Sequence, residues 1–298
     1  MNVDAAPGEV LIIHNRSRLI AIQGQPEFPA AFRQWLGVIV SGFSSNRLAN
    51  QVLGDRGRAL FAIYCLYLHY VAGSNGARGL TVSRAQELCR VTGLCSRGRA
   101  ATLIALLRFG GYLAPAASAD LRRRVLVPTD RFLHEQRKRW RAHFTAMRPW
   151  CDVAGEICDL LSDETFTRLF LDRLGGRFIG GYRVLDAVPV LADLLESNGT
   201  FLMLCALLLE ADEPPPRGGV EVRISTSALS SRFGVARAHV RAQLVKAAEA
   251  GLLRRADDAG CIVVLPALHE AVQDFAAASF LLFDQCGREA LADLAAGV

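Results

Sequence analysis

Along most of this chain apolar residues recur at helical spacing, and only short runs show the spacing of strands. Residues 10–13 and 19–22 are two apolar runs separated by His14-Asn15-Arg16-Ser17-Arg18, a pattern that predicts a β-hairpin or arm. Beyond Pro26 and Pro29, residues 32–43 place Phe32, Trp35, Leu36 and Ile39 on one helical face, and 45–53 predict a further helix. Residues 59–70 are apolar on every side, as a helix buried in a core is. Residues 222–253 then predict a helix with Leu229 inward, a tight turn at Phe233-Gly234-Val235, and a second helix. That second helix carries Val240, Leu244 and Ala247 on one face and Arg237, His239, Arg241 and Lys246 on the other, with Gly251 as its C-terminal cap. A short helix set across a basic-faced one is the helix-turn-helix arrangement, whose second helix enters the major groove of DNA.

Residues 80–128 repeat the pattern. Val82, Leu88 and Val91, followed by Thr92-Gly93-Leu94, match Ile224, Leu229, Phe233 and Gly234-Val235. Ser96 is a natural N-cap for a helix with Ala100, Ile104 and Leu107 inward and Arg97, Arg99 and Arg108 outward. Each helix pair leads through a polar loop into a β-rich return ending in proline, at 122–128 and 261–266. A helix-turn-helix followed by such a hairpin is a winged helix, and the steady offset between the copies predicts an internal duplication. The intervening 144–195 is helical by pattern. Pro149, Gly175-Gly176, Gly180-Gly181 and Pro189 divide it into short pieces.

Composition narrows the classes. With 51% hydrophobic and 21% charged residues the chain is globular. Its longest apolar run, 59–72, falls short of the roughly 18 residues a membrane span requires. No secretory signal is evident, which places the expected location in the cytoplasm. Among the eight cysteines no C-x-x-C pair occurs, and the six histidines never pair at H-x3-H spacing, so no metal or other cofactor is expected. Cys89 and Cys95 flank the first turn and are the candidates for redox sensing. No phosphate-binding P-loop, nucleophile elbow or H-E-x-x-H motif is present, and the expectation is a protein that is not an enzyme.

Charge is uneven, and the unevenness follows the motifs. Residues 76–148 hold fifteen Lys and Arg against four acids, and 217–255 hold eight against two. By contrast, 149–216 carries four Arg against twelve acids, and 256–298 one Arg against seven. Contacts to phosphate need Lys and Arg and supply most of the affinity for DNA.

The stretch 234–253 (GVARAHVRAQLVKAAEAGLL) resembles the turn and recognition helix of GntR-type bacterial regulators. The first unit, from Leu80 through 93–113 (GLCSRGRAATLIALLRFGGYL) and Arg122–Val127, resembles the MarR regulators. The resemblance implies that Arg237 and Arg241 face DNA in one unit and Arg97 and Arg99 in the other. It departs at Ala101, which stands where the second unit has Arg241, and at an extra residue in the first turn.

The fold class expected is therefore mainly α with small β-wings: two winged-helix units in tandem and an N-terminal β arm. The expected divisions are an arm at 1–25, a first unit with its preceding helices at 26–148, an acidic helical connector at 149–196, and a second unit with a C-terminal helix at 197–298. The expected function is a sequence-specific transcription regulator, bacterial and nucleoid-associated, that binds double-stranded DNA as a pseudo-dimer within one chain. Candidate DNA contacts are Ser96, Arg97, Arg99, Arg108, Arg237, His239, Arg241 and Lys246 on the helices, with Arg122, Arg123, Arg124, Arg254 and Arg255 on the wings. A small-molecule effector and a homodimer are compatible with this pattern. Tandem winged helices also serve as protein-interaction modules of the chromosome-segregation type and as plasmid replication initiators.

Overall fold

The computed structural model describes residues 16–44, 56–71, 79–116, 125–195, 197, 199–211, 214–255 and 261–297. Over these the chain is mainly helical, with small antiparallel sheets. In order come α1 (Arg16–Gln23), α2 (Phe28–Ser44), α3 (Arg56–Tyr70), α4 (Val82–Val91), α5 (Arg97–Phe109), β1 (Leu113–Pro115) and β2 (Leu126–Pro128). Next are α6 (Asp130–Met147), α7 (Ala154–Leu160), α8 (Glu164–Ile179), α9 (Ala192–Leu195) and α10 (Thr200–Glu210). The chain continues through β3 (Val220–Arg223), α11 (Thr226–Phe233), α12 (Arg237–Glu249), β4 (Leu253–Arg255), β5 (Cys261–Val264) and α13 (Pro266–Ala295).

Residues 19–22, expected as a strand, are helical and belong to α1, where only Leu19 is buried. No strand pairs with them among the described residues, and a helix satisfies its own backbone where a lone strand does not. The other half of that expected arm, 10–13, and the expected helix at 45–53 lie outside the described residues.

Two compact units share the chain, and they do not follow the sequential divisions. The first contains Gly57–Arg183 together with Ser279–Val298. Phe170 of α8 is the hub of its core, with ring centroids 5.4 Å from Trp140, 5.9 Å from Phe144, 6.1 Å from Phe166 and 5.8 Å from Phe283. Of segment 149–196, expected as an acidic connector, the part up to Arg183 lies in this unit and supplies its inward face through Phe166, Phe170 and Leu174, all fully buried. Asp152, Glu156, Asp159, Glu164, Asp186 and Asp193 are exposed, and Asp163 caps a helix by accepting from the Phe166 N–H at 2.7 Å. Nor does Gly175-Gly176 break the helix, for α8 runs through both. A Cβ on Gly175 would lie 2.5 Å from Tyr67 Cδ2, so the missing side chain lets α3 and α8 approach. The later turns of α13 close the unit. Phe280 and Cys286 are buried there, and ion pairs join Arg177 to Glu289 and Arg173 to Asp293.

His143 on α6 stacks on Phe283 with centroids 4.0 Å apart, and its Nδ1 lies 2.9 Å from the Arg139 carbonyl. Burial pushes its pKa from 6.5 down to about 4. The folded ring is therefore neutral where the unfolded ring takes up a proton. Stability from this ring is fully present above pH 6.5 and is lost as pH falls toward 4. His143→Phe is expected to flatten the fall in melting temperature across that window, measured by thermal denaturation against pH.

The second unit contains Leu19–Arg56 and Val184–Ala278. Helix α2 buries Phe28, Phe32, Trp35 and Leu36. Trp35 meets Phe201 of α10 at 6.3 Å and Phe275 of α13 at 6.4 Å, and Phe32 meets His269 edge-on at 5.5 Å. Helix α10 is buried at nearly every position, as an apolar segment without an exposed face must be. Strand β5 is central in a three-stranded antiparallel sheet of order β3-β5-β4, with Val222 opposite Ile262 and Leu253 opposite Val264.

Among the described residues no single helix is long and apolar enough to cross a membrane.

Candidate nucleic-acid interface

Each unit contains, in the same order, a short helix, a turn, a thirteen-residue helix and an antiparallel strand pair. The first helices begin alike: Thr81 accepts from the Arg84 N–H at 3.2 Å, and Ser225 from the Ala228 N–H at 3.0 Å. The turns close alike too. Gly93 and Gly234 have φ of 67° and 65°, a left-handed conformation that glycine adopts without strain. The following N–H, of Leu94 or Val235, donates to Cys89 or Ser230 five residues back, at 3.0 and 3.2 Å.

The inward residues of the first helix differ from those expected. Ala85 and Cys89 are buried in α4, Leu88 is only partly so, and Val91 is 65% exposed, whereas Leu229 and Phe233 are buried in α11. Helix α4 has ten residues and α11 eight. At 3.6 residues per turn, two additional residues carry Val91 off the apolar face.

The second helices place their side chains as the periodicity predicts. Ala100, Ile104 and Leu107 are buried in α5, as are Val240 and Ala247 in α12, with Leu244 half-buried. Gln243 is also buried, an inward polar residue that the apolar pattern does not reveal. Ser96 caps α5 by accepting from the Arg99 N–H at 3.3 Å. Arg97, Arg99 and Arg108 are exposed on α5, and Arg237, Arg241 and Lys246 on α12, with His239 half-buried.

The arginines at the two helix starts are in different electrostatic states. Arg97 Nη2 lies 2.8 Å from Glu87 of α4, which also holds Arg90 at 2.6 Å. Hydrogen bonds from Arg90 and then Arg97 draw the Glu87 pKa down to about 2, so the carboxylate stays charged. At the corresponding start of α12, Arg237 and the following Arg241 make no ion pair among the described residues.

On the strands, Arg254 of β4 is exposed opposite Val263, and Arg255 continues the strand. Arg223 of β3 is exposed as well; it went unnoticed because β3 precedes the helices rather than following them. In the first unit β1 and β2 pair with Leu113 opposite Pro128, and an isolated bridge between Leu80 and Leu126 stands where the second unit has β3. Arg122, Arg123 and Arg124 lie outside the described residues. Helix α6 is fastened to the end of α5: Thr129 Oγ1 donates to the Gly111 carbonyl at 2.8 Å, and Arg131 Nη1 to that of Gly110 at 3.0 Å. Arg131 also lies over the Tyr112 ring at 4.8 Å.

Of the two cysteines beside the first turn, Cys89 is buried and Cys95 partly exposed. Burial, and then the neighbouring Cys95 thiol, push the Cys89 thiol up to about 12. Among the described residues no group of His, Cys, Asp and Glu is placed to hold a metal ion.

Compared with known proteins, the chain matches no family model, no curated protein and no solved structure at a significant level.

Proposed function

We propose that the chain is a transcriptional regulator, cytoplasmic and nucleoid-associated, that binds specific sequences of double-stranded DNA through two winged-helix units. Support comes above all from α12, a helix beginning at the turn with two exposed arginines, Arg237 and Arg241, that make no ion pair among the described residues. Arginine in that place can bind guanine through two parallel hydrogen bonds. The recurrence of the same elements in the first unit supports reading α5 as a second reading helix and the two units as copies of one ancestral segment. In that copy Ala101 stands where α12 has Arg241, which leaves base reading mainly to α12. Helix α5, with Arg99 and Arg108 exposed, supplies phosphate contacts. Arg254 and Arg255 lie in the strand that would touch the DNA backbone beside the groove.

A protein-interaction module is the competing class. The exposure of Phe109 (83%) and Val91 (65%) favours it, since bare apolar side chains suit docking of another protein better than phosphate.

Selection of bound duplexes from a random pool, followed by titration of the selected duplex, separates the two. Arg237→Gln is expected to weaken binding by about 1–3 kcal/mol and to relax the preference at one base pair. Glu87→Gln, which frees Arg97 and Arg90, is expected to strengthen binding. No selected sequence, or affinity unchanged in Arg237→Gln and Arg241→Gln alike, would sink the proposal.

A further inference from the structure

Helix α6 carries a second basic face, apart from the reading helices. His134, Arg137, Lys138 and Arg141 recur at spacings of three, one and three, so they form one stripe on the side away from buried Phe132, Gln136, Trp140 and Phe144. By sequence alone such a stripe is a solvated face or a track for DNA phosphates. In the structure it forms one wall of an open cavity of about 630 Å³, completed by Asp130 at the head of the helix and by Ser162. Three permanent cations and a histidine thus converge with one hydroxyl and one carboxylate. Arg137 is half-buried, and its Nε–H is shielded from solvent with no hydrogen-bond partner among the described residues.

From this geometry we infer that the cavity binds a small molecule bearing more than one phosphate group. Guanidinium and ammonium groups recognise phosphate through short, charge-assisted hydrogen bonds. The volume falls within the roughly 300–1,000 Å³ of small-molecule sites, and the concavity suits a compact ligand rather than a continuous backbone. Asp130, an acceptor at one end of a basic stripe, repels phosphate and selects a ligand that carries a hydroxyl or amino group at its far end. This inference stands whether or not the chain binds DNA.

Inorganic tripolyphosphate is the probe, titrated calorimetrically into the full chain at constant ionic strength. Saturable binding is expected, and Arg141→Gln is expected to weaken it by about tenfold, the loss of one charge-assisted hydrogen bond. Arg148→Gln removes the same charge from the exposed end of α6 outside the cavity, and its effect is expected to stay within about twofold, as for a screened charge. Binding of the selected DNA duplex to Arg141→Gln is expected to match that of the unaltered chain. Absence of saturable binding, or equal weakening by Arg148→Gln, overturns the inference. So does a parallel loss of DNA and tripolyphosphate binding in Arg141→Gln, which would make the stripe a DNA track. A chain that binds tripolyphosphate in this way but no DNA refutes the regulator and leaves the phosphate site standing.

Discussion

A chain ending at Ala278 is expected to lose the native structure of the first unit, although every residue of that unit up to Arg183 is still present. Ser279–Val298 belong to the first unit and supply buried Phe280, Leu282, Phe283, Cys286 and Ala290. Burying each large apolar side chain is worth roughly 1.5–3 kcal/mol, so losing Phe280, Leu282 and Phe283 alone removes about 4.5–9 kcal/mol, comparable with the roughly 5–15 kcal/mol by which domains are stable. The loss also strands Arg173 and Arg177, which pair with Asp293 and Glu289. Hydrogen exchange is the direct measurement. Amides of α3 and α8 should lose protection in the shortened chain, and retention of that protection would show that the first unit closes without α13.

Phe170→Ala is expected to be the most damaging single substitution in the same core, at about 3–5 kcal/mol for a large cavity that its neighbours fill only in part. The ring is fully buried, and four others surround it: Trp140, Phe144, Phe166 and Phe283. Phe170→Leu keeps much of the volume and should cost less. Chemical denaturation measures both, and equal midpoints for Phe170→Ala and the unaltered chain would refute the placement of the core.

These two results depend on features that the sequence conceals for a physical reason. Helices α5 and α12 were legible because each shows one apolar face over about three turns, bounded by Ser96 or Gly234 at one end and Gly111 or Gly251 at the other. Local periodicity records which side of a helix is buried. It does not record what buries it. Segment 149–196 looks like a connector because its twelve-to-four excess of acids, counted over 149–216, hides the inward stripe of Phe166, Phe170 and Leu174. Likewise, nothing local tells Trp35 that its partners are Phe201 and Phe275. The first helix of the first unit was misread because Cys89, a small residue, takes the buried place while the more apolar Val91 is exposed. The α6 cavity went unseen for a different reason: Ser162 completes it from another element, and a stripe alone has no depth.

The place of α2 in the second unit bears on how the chain is made. Helix α2 leaves the ribosome with Phe28, Phe32, Trp35 and Leu36 on one side, yet α10 and the start of α13 are translated more than a hundred residues later. At roughly 5–20 residues per second, that face waits for many seconds with its native partners not yet synthesised. Contacts between residues so far apart also slow folding once the chain is complete, because closing a long loop precedes any gain from burial. The nascent chain is therefore the form most exposed to aggregation, and the cell's holding chaperones have in α2 a ready point of attachment.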